Sequence, residues 1–472
     1  MYKFASMFDD EEEEELYGGD INEDVKVFND MYDSGSYQYF DSDRIEAIID
    51  HLLVTNQYKK ARWAADHALT HFPYNSLFML RKAQALSLGG ELKEALRLLG
   101  HLEKIELNSI DLMLTMASCF SQLRDADSAV KYYKKALALA DEEDRADIYI
   151  DLAMEFENQG DYNAAIQLLK QAIKDDEQNE SLVYELAYCF DQIEAYDESI
   201  QCFLDYIDVD PYSYTAWYNL GNAYFRKNDF EKAIWAFDYC IIVNEDFSPA
   251  YFNMGNTYME LERVDKALEY YEGCLKLDGD DGMVLCSIGE CYEELGNYNK
   301  AYASYVQSTE HFPQLADAWL GRGIVSDLLG HQNRAISELK VAVSLEPENS
   351  EYLHTLATVY EGKGMIDEAV STYEEALKIG KQEGNLLFDY LKCLAFDSPM
   401  RALEQLNNQP KWLEEDAGMQ VLIYIYWNLN RRTDALLIFE SLLVKNKELI
   451  TEVMKAFPEL NDYTIFTDRL ED

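Results

Sequence analysis

Trp217-Tyr218-Asn219-Leu220-Gly221-Asn222-Ala223-Tyr224 is followed by Ala233 and Phe237. Trp217, Leu220, Gly221 and Tyr224 are spaced i, i+3, i+4, i+7, the stripe of a helix that is apolar on one face. Ala233 and Phe237 are one turn apart and open a second such stripe. Between them lies Asn228, one of the two residue types that tolerate the left-handed conformation at a helix end. The stretch therefore reads as helix, turn, helix. Gly221 and Ala233 are small so that the two helices can approach. A glycine inside a helix costs about 1 kcal/mol relative to alanine, so close packing has to offset it.

The reading extends outward by counting. Ala233, Ala267, Ala301, Ala335 and Ala369 recur every 34 residues. Ser199 and Ala165 keep that step backward. After a two-residue insertion, Ala129, Ala95 and Ala61 resume it, and Ala435 lies near the C-terminal end. With this residue set as position 20, units begin at Ser42, Ser76, Ile110, Ala146, Glu180, Tyr214, Ser248, Gly282, Ala316, Ser350 and Asp416. A weak unit begins near Gly384. Position 8 is Ala83, Ala117, Ala153, Ala187, Gly221, Gly255, Gly289, Gly323 and Ala357. Position 24 is large, as in Tyr133, Phe203, Phe237, Tyr271, Tyr305 and Tyr373. Position 15 is glycine or asparagine in most units. Pro73, Pro211, Pro313 and Pro347 fall on position 32, where proline stops the second helix.

This pattern resembles the tetratricopeptide repeat family, most closely over Trp217–Tyr224 with Ala233 and Phe237, and it covers residues 42–449. The resemblance implies an all-α chain, a right-handed superhelical solenoid of about twelve helix-turn-helix repeats with a concave groove.

Composition narrows the function. Of 472 residues, 48% are hydrophobic, enough to bury a large core. No apolar run approaches the roughly 18 residues that span a bilayer, so no direct membrane insertion is expected. The start, Met1-Tyr2-Lys3-Phe4-Ala5-Ser6-Met7, passes straight into acid and lacks the basic and apolar parts of a signal peptide, which predicts a cytoplasmic protein. The eight cysteines are scattered without CxxC spacing, as buried thiols of a reducing compartment would be. Acidic residues outnumber basic ones 89 to 40, a net charge of −49. Phosphate backbones need clustered Lys and Arg, so a nucleic-acid partner is not expected. A basic protein partner is favoured; plain solubility is the competing reading of the same charge.

Outside the repeats, residues 1–41 read as an acidic, disordered tail built on Asp9 to Glu15. Residues 384–415, interrupted by Pro399 and Pro410, read as a hinge or a diverged repeat. Residues 450–472 read as a capping helix and tail, with Ile450, Val453, Met454 and Phe457 as its apolar stripe. No catalytic constellation emerges, and no cofactor or metal is expected. His67 and His71 lack the glutamate of a metalloprotease helix. Asp278-Gly279-Asp280-Asp281-Gly282 has Met283 where a calcium loop needs glycine and Gly289 where it needs a bidentate acid. The chain is therefore read as non-enzymatic.

In the family, positions 2, 5, 9, 12 and 13 of the first helix face the groove. The resemblance thus places Tyr184, Tyr188, Tyr218, Asn222, Phe225, Phe252, Asn256, Glu260, Glu290, Glu293 and Glu294 there, with Arg226 as the lone base from Ile110 through the unit at Ser350. Asn219 and Asn253 occupy position 6, where some members grip a peptide backbone. The carboxylate clamp of chaperone-binding members matches at Asn222 and Asn253. Its three bases are replaced by Tyr218, Met283 and Ser287, so an acidic chaperone tail is not the expected ligand. The residues together suggest a scaffold, an adaptor or assembly factor, that holds a basic, partly apolar protein segment. The alternatives are a fixed subunit of a larger cytoplasmic or envelope-associated machine and a regulatory arm of an enzyme complex. Oligomeric state is not legible.

Overall fold

In a computed structural model of the chain, the described residues are 21–460 except 107, 280, 381–383, 410, 411, 413, 414, 446 and 459. Among them every regular element is a helix. The chain divides into two compact units, 1–236 and 237–472.

In the first unit, helices pair as Ser42–Val54 with Tyr58–His71, Ser76–Leu88 with Leu92–Leu102, and Ile110–Gln122 with Ala126–Leu139. Glu142–Asn158 with Tyr162–Asp175 and Glu180–Gln192 with Tyr196–Val209 follow. Tyr214–Arg226 then leads into Phe230–Val243, which crosses the boundary between units. The two-residue insertion is absorbed at the start of Glu142–Asn158, which gains a turn before the repeat register resumes at Ala146. In the second unit the pairs are Ser248–Glu260 with Val264–Asp278, Gly282–Glu294 with Tyr298–His311, and Ala316–Leu328 with Gln332–Leu345. Ser350–Gly362 with Ile366–Ile379, Gly384–Asp397 with Pro399–Asn407, and Asp416–Asn428 with Arg432–Lys445 complete it.

The turn inside each regular pair is made by one left-handed residue at position 15: Asn56, Gly90, Arg124, Gly160, Glu194, Asn228, Glu262, Gly296, Gly330, Gly364 and Asn430 all have positive φ. The small residue at position 8 faces the large one at position 24 of the same unit. A Cβ on Gly255 would lie 2.5 Å from the Tyr271 ring, and one on Gly323 would lie 2.5 Å from Leu339. The alanines at position 20 are fully buried.

The flanks and the weak unit take the following form. The helix Ile21–Ser34 occupies part of the stretch read as a tail. Its Val25, Phe28 and Met31 share one face and are buried in a core with Phe40, Ile45, Ile48 and Ile49. The acidic run Asp9–Glu15 lies outside the described residues. Residues 384–407 form a helix pair, and the second helix is only nine residues long. Pro399 sits at its first turn, where the missing N–H is no loss; Pro410 lies outside the described residues. Finally, Lys447–Ala456 is a helix with Val453, Met454 and Phe457 buried, and Phe457 stacks on Tyr424 at 4.4 Å. The Ile450 side chain is outside the described set.

Candidate interaction groove

Successive first helices touch directly, and the touching side chains carry the groove chemistry. In the first unit Cys189 Sγ donates to Glu157 Oε1 at 3.2 Å. Arg226 Nη2 lies 2.5 Å from Asp191 Oδ2, whose side chain is only 8% exposed. The one base expected in the groove is thus already held by a carboxylate.

Tyr184 is half-buried. Its ring packs on Phe203 at 5.8 Å and its hydroxyl donates to Glu180. Glu180 also accepts from Ser213 Oγ, at 2.6 Å, and from Thr215. Burial pushes this carboxyl up, and the three hydroxyl donors outweigh it, so Glu180 lies below the ordinary carboxylate range. Glu180, held also by Tyr184, therefore ties one repeat to the next. Tyr188 stands in the open, 47% exposed. Tyr218, Asn219, Asn222 and Phe225 are half-buried. Asn219 Nδ2 donates to the Thr215 carbonyl of its own helix at 2.9 Å, and Phe225 packs edge-on against Phe230 at 5.5 Å. Glu185 was not among the expected groove residues. Burial, followed by the neighbouring Glu157 carboxylate, pushes it up to about 7.

In the second unit Phe252 packs on Tyr271 at 5.6 Å, and Asn256 Oδ1 accepts from the Tyr271 hydroxyl at 2.6 Å. Asn253 is half-buried, and its carbonyl accepts from Thr257 Oγ1 at 2.7 Å. Glu260 and Glu294 are exposed. Glu293 Oε2 accepts from the Tyr305 hydroxyl at 3.0 Å. The Tyr305 ring is held between Gly289 and Gly321, where an added Cβ would come within 2.7 and 2.3 Å of it. Gly321 stands at position 6 of its unit, and a side chain there would strike the ring. Glu290 reaches solvent as a residue, yet its carboxyl is pushed above the ordinary range by burial, then by Asp317 and Glu293. Burial, then Glu294, pushes Glu293 the same way against the Tyr305 hydrogen bond. Asp317 accepts from the Tyr352 hydroxyl. Among the described residues no lysine or arginine is within ion-pair reach of Glu290, Glu293 or Asp317. Further along, Lys392 Nζ pairs with Glu361 at 3.2 Å and His354 Nε2 with Asp389 at 2.9 Å.

The structure therefore brings Glu290, Glu293 and Asp317 together around Tyr305 and Tyr352. The other expected residues fall as Tyr184, Tyr188, Tyr218, Asn219, Asn222 and Phe225 in the first unit and Phe252, Asn253, Asn256, Glu260 and Glu294 in the second.

Among the described residues, no helix is long and apolar enough to cross a membrane. Tetratricopeptide repeat models match residues 109–178, 158–211, 194–239, 248–281, 284–314 and 350–381. No curated protein matches the chain. Solved structures similar to it include the Cut9–Hcn1 hetero-tetramer of the APC/C, at 14% identity over 90% of this chain and 95% of that one, with a TM-score of 0.41. A tetratricopeptide repeat protein of Parabacteroides merdae aligns at 16% identity over 52% and 96%, TM-score 0.42. The protein TTC0263 of Thermus thermophilus aligns at 24% over 39% and 99%, TM-score 0.34. With its 34-residue helix pairs, its left-handed turns at position 15 and these repeat matches, the chain belongs to the tetratricopeptide repeat family and is a protein–protein interaction scaffold.

Proposed function

We propose that the chain is a non-enzymatic adaptor or assembly factor whose first helices hold a basic, partly apolar segment of another protein. The observation that carries this reading is the group Glu290, Glu293 and Asp317. Burial with the Asp317 and Glu293 carboxylates raises the proton affinity of Glu290, and burial with Glu294 raises that of Glu293, so their ionisation is unfavourable in the free protein. An arriving lysine or arginine removes that repulsion, so the free energy released on binding includes its relief. Tyr188, exposed on a first helix, and the half-buried Tyr218, Phe225 and Phe252 supply apolar anchors of the kind that dominate interfaces. Asn219, Asn222, Asn253 and Asn256 supply amides for backbone contacts, and Tyr184, Glu260 and Glu294 complete the lining.

Affinity purification from the native cell, followed by mass spectrometry, is the test. The expected capture is a protein with a segment of interleaved Lys or Arg and apolar residues. Its affinity for the Tyr218→Ala, Phe252→Ala double variant should fall by about 2 kcal/mol or more, roughly thirtyfold. A folded double variant that binds the captured partner at full strength would remove these helices as the site.

A further inference from the structure

The helix Tyr58–His71 carries His67 and His71 one turn apart, and the proposed function uses neither. Residues 35–41 run without helix from the end of Ile21–Ser34 to the start of Ser42–Val54 and cross these two side chains. The Tyr37 hydroxyl lies 2.9 Å from His71 Nε2. His67 Nε2 lies 3.2 Å from the Gln38 carbonyl oxygen, and since a carbonyl only accepts, His67 carries a proton on Nε2. The Tyr37 ring touches both imidazoles and the Tyr39 ring meets His71 at 5.6 Å. The imidazoles themselves are 5.2 Å apart. Trp63 stacks on His67 and touches Phe28 and Tyr32 of Ile21–Ser34. Helix and strap together form a clasp over the first repeat, with Val25, Phe28, Met31 and Phe40 buried beneath it.

We propose that His67 and His71 are a proton-operated latch: neutral, they hold the clasp of residues 21–41 closed, and protonation of the pair opens it and uncovers the apolar end of the first repeat. Two imidazolium ions at this separation repel, and no carboxylate among the described residues lies within ion-pair reach of either ring. The strap offers the two phenols and the Gln38 carbonyl. On Ile21–Ser34, Asp24 pairs with Arg44, and Asn29 accepts from Lys60 of the histidines' helix. Asp66, on the histidines' own helix, pairs with Lys82 of Ser76–Leu88. Beyond His71, Phe72 packs on Phe78 of that helix. Burial, then His71, holds His67 below the usual imidazole range, and the Gln38 carbonyl opposes them. A depressed imidazole pKa makes the closed state bind fewer protons than the open one. The clasp is therefore fully stable above the ordinary imidazole range and loosens as pH falls through it.

Hydrogen exchange of the full chain tests the latch, with rates corrected for intrinsic pH dependence and compared between about pH 7.5 and about pH 5.5. Protection of residues 21–41 should fall by about tenfold for each pH unit over which one extra proton is taken up on opening. Protection of Ile110–Leu139 should hold. The His67→Gln, His71→Gln variant should show the same clasp protection at both pH values. Equal wild-type protection at both, an equal loss in the variant, or a loss spread evenly over the whole chain would each overturn the latch. An independent check survives even a variant that opens at neutral pH: the imidazole resonance of His67 in the wild-type chain should titrate below the free-histidine value. Titration at or above that value also overturns it.

Discussion

Arg124, Glu194 and Glu262 hold φ of 60°, 57° and 56°, the left-handed conformation that every regular unit uses between its two helices. For a residue with a Cβ this conformation costs about 1 kcal/mol. Glycine is free of that cost, and Gly90, Gly160, Gly296, Gly330 and Gly364 fill the same position elsewhere. Glu262→Gly should therefore raise stability by about 0.5–1 kcal/mol, less the extra entropy glycine gives the unfolded chain, as read by urea denaturation. Unchanged or lower stability would mean that the Glu262 side chain contributes more than its strain removes. The position itself was legible from its glycines and asparagines. The three exceptions were not, because tertiary packing on both sides fixes the turn whatever residue occupies it.

Between the helices of a pair, the informative departure is Arg322. It stands at position 7, where the units beginning at Tyr214, Ser248, Gly282 and Ser350 place Leu220, Met254, Ile288 and Leu356. Its Nη2 meets Glu338 Oε1 at 2.9 Å, with side chains only 16% and 7% exposed. Ser326 Oγ and the Tyr302 hydroxyl also donate to Glu338, and the guanidinium lies over Trp319 at 4.4 Å. Removing one partner strands a buried charge, so Arg322→Leu should cost about 3–5 kcal/mol. Replacing both, Arg322→Leu with Glu338→Leu, should recover most of that loss, since an apolar pair avoids the desolvation of two charges. Thermal melts of the three proteins decide it; an additive double variant would refute the coupling. Helix starts and pairings were legible because the 34-residue step fixes both stripes. The Arg322–Glu338 pair was not, since neither residue stands out until two helices bring them together. The same holds for the site: spacing put Tyr184 and Tyr188 on one face, but that Tyr188 stands exposed while Tyr184 donates to a Glu180 shared with Ser213 and Thr215 depends on neighbouring helices that the spacing does not show.

For the molecule as a whole, a net charge of −49 means that a basic partner is attracted from a distance before any contact forms. Replacing Glu290, Glu293 and Glu294 by glutamine should slow association and flatten its dependence on salt, leaving dissociation nearly unchanged. Stopped-flow measurements at low and high ionic strength would show it. A change confined to dissociation would instead assign these carboxyls to close contacts. Because burial raises Glu290 and Glu293, acidification should neutralise them, and weaken the complex, at a higher pH than for ordinary carboxylates. The eight free cysteines have a different use. Seven are buried and the eighth, Cys202, is half-buried; burial raises the pKa of every one, so little nucleophilic thiolate exists in the closed protein. They run from Cys119 to Cys393 and fall in six of the twelve repeats. A thiol reagent can then modify each of the seven buried sulfurs only when its own repeat opens, so the unaltered chain already carries a graded set of clocks, and the order in which they are modified reports which of these repeats come apart first.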